Sequence, residues 1–395
     1  MSKRLTIVIF DGSFKTTSFI NRLAVGLSKQ HDVYILGLNE VLSHKLQNVT
    51  YRSIGSNTNK LRFMLTSLIL AFKSLRIPML TNTFLYLIKG KRILLQKQNL
   101  NLVLDQLRPD IIHLQWPSVI PLFEDVLMVQ QFPVVLSQRG YHINVRPFVN
   151  AENMQYLKEW FPKIAGFHSV SQAISKTGDM IYKAPNKLDG VIYTGLPLNR
   201  FPFRTLYKRH QPLKLISIGR SHWKKGFDDA ILACKHLLDL EIPFTYTIVG
   251  GADDEQLLYM THDLGLTGFV SLEPKCSQNE VYDKMNEADM LLMPSLEEGI
   301  ANVAVEAMAL GLPVISTTCG GMEELITNEE TGWLIPLRSP LILAKAIIGL
   351  QKAPIETINE VRKQARLKIE QQHAEGLMIT DMENLYEKTI GSFKN

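Results

Sequence analysis

Short apolar runs that stop at a glycine or a polar turn, each followed by a helix-forming stretch, recur along this chain, and no other feature constrains its fold as tightly. Residues 5–10 end in Asp11-Gly12, a helix follows over 21–29, and a second apolar run over 32–38 completes a strand-helix-strand opening. Further strands are predicted at 111–115, after the turn Arg108-Pro109-Asp110, and at 134–137 and 165–171. The pattern resumes with a strand over 215–219, a helix over 227–240, a strand over 246–251, a strand over 290–294 and a helix over Asn302–Leu310 closed by Gly311-Leu312-Pro313. Alternation of this kind implies a parallel, doubly wound α/β sheet. Its return after residue 210 predicts two such domains, joined by a linker over 194–212. The first run is too short for the apolar core of a secretory signal, although Lys3 and Arg4 precede it.

Charge is distributed unevenly. Residues 41–104 carry ten basic side chains and no acidic one, so against a net charge of +5 the rest of the chain sums to −5. The same segment contains two uncharged apolar runs, 63–72 and 77–88, the second holding Pro78. Each is shorter than the ~20 residues a spanning helix needs. They read as amphipathic helices, and cations plus apolar residues without acid are the composition of interfacial binding to anionic lipid. The alternative is a helical insertion packed on its own domain with its cations merely solvated. No recognised nucleic-acid motif accompanies the charge, so nucleic acid is not expected as a partner. With 46% hydrophobic residues over 395 positions the chain is of the soluble globular class. Cys234, Cys276 and Cys319 show neither paired nor metal-type spacing, which points to a reducing compartment.

Two carboxylates eight positions apart, Glu298 and Glu306, bracket a strand-loop-helix junction. Glu298 precedes the helix in a loop opened by Gly299, where the first helical N–H groups can bind an anion such as a pyrophosphate. Glu306 lies four residues past Asn302, about one turn or ~6 Å further along. Ionised carboxylates accept hydrogen bonds from hydroxyls, so that spacing lets one acid meet a sugar and the other a ribose. A solvated loop acid and a surface helix acid remain the plainer alternative. Upstream, the strand at 215–219 ends in Gly219-Arg220 and leads into a loop with Lys224 and Lys225. Cations at the carboxyl end of a strand suit a diphosphate, because open α/β sheets bind ligands at that edge.

Taken together, Gly219-Arg220, Lys225-Gly226, Val249-Gly250-Gly251, Glu298-Gly299, Glu306-Ala307-Met308-Ala309, Gly311-Leu312-Pro313-Val314 and Gly320-Gly321 with Glu324 resemble the retaining GT-B glycosyltransferases of family four, in order and spacing over residues 190–340. The resemblance implies two Rossmann-like doubly wound domains facing across a cleft: residues 1–200 on the acceptor side, 201–372 for the nucleotide sugar, and a last helix in 373–395 returning to the first domain. It implies a UDP- or GDP-sugar donor, with Arg220 and Lys225 on the diphosphate and Glu306 on the ribose. Glu298 and the backbone of Gly299, Ile300, Ala301 and Asn302 would serve sugar and phosphate, beside Gly219 and Gly250. Retention would need no carboxylate nucleophile, since the departing phosphate can take the acceptor's proton. Neither a metal nor another cofactor is expected, and Asp253-Asp254 is not read as a cation site.

The first half departs from the family pattern twice. Phe14-Lys15 stands where paired glycines are usual, and Arg139 occupies the place of the usual histidine, with His142 three residues on. Either Arg139 meets sugar or acceptor, or His142 has taken that task; a histidine can relay protons near neutral pH and an arginine cannot act as a base. His113 and His168 read as packing or hydrogen-bonded residues. The acceptor implied is a glycan or a lipid-linked one, for a bacterial surface polysaccharide or lipopolysaccharide, at the inner face of the cytoplasmic membrane. An isomerase of the nucleotide-sugar 2-epimerase kind and a non-catalytic nucleotide-sugar or partner-binding protein remain alternatives.

Overall fold

The computed structural model describes residues 3–38, 42 and 44–394. Val41, where the predicted basic segment begins, lies outside them. The chain forms two compact units: Met1–Val170 with Ile174–Gly195 and Glu375–Asn395, and Ser171–Ala173 with Leu196–Ala374.

The first unit is built on seven parallel strands: β1 (Thr6–Phe10), β2 (Asp32–Gly37), β3 (Val49–Ser53), β4 (Ile111–Leu114), β5 (Val134–Gln138), β6 (Gly166–Ser169) and β7 (Asp189–Val191). They run in the order β3-β2-β1-β4-β5-β6-β7. Because side chains alternate along a strand, β1 is apolar on both faces. Ile7 and Ile9 enter a core with Leu23, Leu27 and Val135, while Val8 and Phe10 enter another with Leu102 and Phe123. The helix Glu375–Phe393 belongs to this unit, its Met378, Met382, Leu385 and Tyr386 forming one stripe in the first of those cores. Gly166 allows its approach, since a Cβ there would stand 2.5 Å from Thr389 Oγ1. The order changes direction between β1 and β4, where loops at the carboxyl ends diverge and leave room for a ligand.

The second unit repeats the plan with β8 (Leu213–Ile218), β9 (Phe244–Val249), β10 (Val270–Glu273), β11 (Met290–Met293), β12 (Val314–Thr317) and β13 (Trp333–Ile335), ordered β10-β9-β8-β11-β12-β13. Its switch point lies between β8 and β11, in register at Leu215–Met290 and Ile216–Leu291. The stretch 194–212 is not a spacer along its length. Leu196, Phe201 and Tyr207 are buried, and the Tyr207 hydroxyl donates to the Asp289 carbonyl at 3.2 Å. Its apolar side chains draw it onto the second unit. The runs 63–72 and 77–88 are helical, in Lys60–Lys73 and Ile77–Ile88, but the basic segment also contributes the edge strand β3, which its composition did not announce.

Candidate active site

At the carboxyl edge of the second sheet, β8 runs into Gly219-Arg220 and a short turn, Trp223–Lys225. The turn brings the Lys225 ammonium back over the strand end, with its Cε 3.2 Å from where a Cβ on Gly219 would lie. Lys225 Nζ meets Glu298 Oε1 at 2.5 Å, and the Ser295 hydroxyl donates to the same oxygen at 3.3 Å. Both ions are largely buried, at 16% and 10% side-chain exposure. A pair so placed is held in one geometry, unlike a surface ion pair. Arg220 is exposed beside it. The concentration of Arg220, Lys224 and Lys225 acts on His222, whose pKa is lowered first by burial and then by those three cations.

The Glu298 loop is held by glycine. Gly320 has φ +52°, and a Cβ there would run into the Glu298 carbonyl, so the two backbones pack directly. Beyond the loop, the helix Asn302–Leu310 begins at Ala301 with no side-chain cap and no acid in its first turn. Its other end is held by cations. Arg362 Nε donates to the Gly311 carbonyl at 2.6 Å and Arg366 to the Ala309 carbonyl at 2.7 Å, with the sign that suits a helix C-terminus. No side chain caps this helix start, and the first amides of a helix are where an anion can bind.

Glu306 is buried and accepts a bond from Gln278 Nε2 at 3.0 Å, so it is not the surface acid its spacing also allowed. Gly250, with φ +96°, packs against the Gly219 carbonyl and keeps the ends of β8 and β9 together. Glu324 is engaged elsewhere, accepting the amides of Gln172 and Ala173 at 2.8 and 2.7 Å. Asp254 caps the helix Glu255–Asp263. Burial pushes its pKa up, but bonds from Ser221 and the amides of Leu257 and Gln256 outweigh that and hold it low. Among the described residues there is no cluster of metal-ligating side chains.

The same edge of the first sheet holds a buried network. The Arg139 guanidinium lies 4.4 Å over the Phe19 ring and donates to Gln115 Oε1 at 3.3 Å and Ser137 Oγ at 3.4 Å. Burial lowers its pKa to about 10, Asp11 and Tyr386 opposing. Asp11, which accepts from the Trp116 indole, is raised to about 6 by burial against the pull of that bond and of Arg139. Behind them runs a chain of bonds: Tyr386 hydroxyl to His113 Nδ1 at 2.7 Å, His113 Nε2 to Ser137 Oγ at 2.8 Å, and Ser137 to His168 Nδ1 at 2.8 Å. It ends with His168 Nε2 on the Ile192 carbonyl at 3.1 Å. One proton per link satisfies every member, with both imidazoles neutral. Burial depresses both, His168 to about 3. His142 is half-buried, its ring 5.8 Å from that of Trp116.

Lys225, Glu298 and Gly219 are thus brought together with the uncapped helix start. Arg139 and His142 belong to the first unit. Ser295, Gln278, Asp11 and Trp116 had no site role in the sequence reading. Only Asp11 carried a signal, as the polar stop of the first strand.

Residues 202–368 match the family described as Glycosyl transferases group 1. A putative colanic acid biosynthesis glycosyltransferase of Escherichia coli K12, WcaL, is 32% identical over 193 residues, 47% of this chain and 48% of that one. The amylovoran biosynthesis glycosyltransferase AmsK of Erwinia amylovora is 33% identical over 211 residues, 52% of each chain. The chain thus spans about half the length of the curated relatives it matches. Two solved structures share the fold along nearly all of the chain. Anabaena HepE in complex with UDP has a TM-score of 0.71 at 15% identity, covering 97% of this chain and 100% of its own. A glycosyltransferase from Rickettsia africae has 0.71 at 15%, covering 98% and 99%. The fold is GT-B, with two Rossmann-like domains, and the match to the glycosyl transferases group 1 family lies in residues 202–368.

Proposed function

We propose that this protein is a retaining, metal-independent glycosyltransferase that moves a sugar from a nucleotide-sugar donor to a glycan or lipid-linked acceptor in surface polysaccharide or lipopolysaccharide synthesis. The observation that carries the reading is the buried Lys225–Glu298 pair beside the uncapped start of Asn302–Leu310. Two of its relatives are named for colanic acid and amylovoran biosynthesis, and the UDP of the Anabaena protein favours UDP over GDP as the donor nucleotide.

In this reading Glu298 holds the Lys225 ammonium at the strand edge, where it faces the donor diphosphate with Arg220 and the amides at 300–302. These donors stabilise charge as the bond from the anomeric carbon to the diphosphate oxygen breaks. Preorganised, they need no reorientation at that moment. The acceptor oxygen bonds to the same face of the sugar, and its proton passes to the departing phosphate oxygen. Glu306, fixed by Gln278, accepts the ribose hydroxyls. In the first unit either Arg139, a fixed cation, or His142 meets the sugar or the acceptor. The enzyme works peripherally on an anionic membrane at its cytoplasmic face.

The test is to follow donor and product together. Purified protein with a UDP-sugar and acceptor should release UDP and yield a glycoside whose anomeric configuration, read by NMR, is that of the donor. Inversion, an epimerised nucleotide sugar, or no release with any of the UDP-, GDP-, ADP- and CMP-sugars would contradict it.

A further inference from the structure

The helix Lys60–Lys73 buries Ser67 together with Phe63, Leu70 and Ala71, the helix Ile77–Ile88 buries Thr83, and both leave further apolar residues exposed on their outer side. On the inner side, Ser67 and Thr83 are fully buried. Asn99 Nδ2 donates to Ser67 Oγ at 2.8 Å and Gln98 Nε2 to Thr83 Oγ1 at 2.7 Å, so amide–hydroxyl bonds staple both helices to the helix Arg92–Leu107. On the outer side of the first helix, Leu61, Leu65, Ile69 and Phe72 fall at spacings of four, four and three, one continuous stripe, each more than half exposed. The second helix continues it with Ile77, Phe84 and Ile88, and Leu75 between the two is 89% exposed. Single exposed apolar residues are ordinary on a soluble protein, but stripes on consecutive helices mark an interaction surface.

Its rim says what covers it. Lys60, Arg62, Lys73, Lys89 and Lys91 make no ion pair among the described residues, and no acid occurs in 44–104. A second copy of the same face would set these cations against their equals. An anionic bilayer satisfies both parts, the stripes entering the acyl boundary while the cations reach lipid phosphates on their aliphatic stems. Helices of 14 and 12 residues lie on such a surface, and among the described residues no helix is long and apolar enough to cross it.

We propose that the outward face of these two helices is the surface by which the chain docks on an anionic lipid bilayer. This rests on the membrane contact in the proposed function and gives it a location. The test is co-sedimentation of the full chain with vesicles of equal parts phosphatidylglycerol and phosphatidylcholine, and with phosphatidylcholine alone. Leu65→Glu/Ile69→Glu/Ile88→Glu removes the apolar contact at exposed helical sites, and Lys60→Gln/Arg62→Gln/Lys89→Gln removes rim charge. Circular dichroism and UDP-induced thermal shift report on fold and donor site in each variant.

The expected result is binding to the anionic vesicles, at least about tenfold weaker in either variant and on neutral vesicles, with the UDP shift unchanged. Equal binding by wild type and folded variants, or none by wild type, overturns the docking surface while the UDP shift still judges the donor reading. A dimer in solution abolished by the apolar variant assigns the face to a second copy and overturns the proposal as well.

Discussion

The two sheets present the same carboxyl edge and equip it in opposite ways. In the second unit Lys225 and Glu298 neutralise each other 2.5 Å apart, and the helix beside them is capped by guanidinium at its far end alone. In the first, Arg139 is packed on Phe19, Asp11 is raised to about 6, and two histidines are held neutral in a chain of bonds. One edge pairs its buried ions with each other beside a helix start; the other packs its arginine on a ring and holds its histidines neutral. Fold likeness alone assigns neither role, and the difference lies in what each strand end touches.

That contrast can be broken at several points. Lys225→Ala and Arg220→Ala should each lower turnover by about a hundredfold or more, the scale on which a preorganised charge donor acts; Lys225→Ala, which leaves the buried Glu298 carboxylate without its cation, should also lower the melting temperature, whereas Arg220→Ala, at an exposed position, should not. Steady-state rates and a melt on the same sample check it, and near-normal turnover in the double variant would defeat the assignment. Tyr386→Phe takes the proton donor from His113 Nδ1. It should cost about 1–3 kcal/mol of first-unit stability in denaturant unfolding and leave nucleotide affinity unchanged.

A further prediction concerns pH. Asp11 binds its proton more tightly in the folded protein than when unfolded, so its contribution is present below about pH 4 and is lost as pH rises through about 6. Wild type should therefore lose stability relative to Asp11→Asn across that window, as melting curves on both proteins can show. A constant difference would mean that Asp11 is not held in the desolvated state described.

Legibility in the sequence divides along the same line. The grouping at the second-unit edge was visible because its parts are local: Gly219, Arg220 and Lys225 lie at one strand end and the turn after it, and Glu298 and Glu306 flank one helix start. The helix Asn302–Leu310 has the predicted bounds because Gly311, with φ +79°, supplies its left-handed stop. The first-unit network is long-range, joining Asp11 to Trp116 and His113 to Tyr386 across 105 and 273 positions, and no window of sequence contains either pair. Gln278, which fixes Glu306 from 28 residues away, was silent for the same reason. Strands β7 and β13 span three residues each, too few for alternation to register. The basic segment showed its composition but not its orientation, because the staples Asn99–Ser67 and Gln98–Thr83 decide which face is buried.

Calorimetric titration of UDP into the wild-type chain, Lys225→Ala and Arg139→Ala tests the division most directly. The account predicts binding by the wild type, near-equal binding by Arg139→Ala and at least about tenfold weaker binding by Lys225→Ala, on the scale of one charge-assisted bond lost. Loss of UDP binding in Arg139→Ala with retention in Lys225→Ala would contradict it.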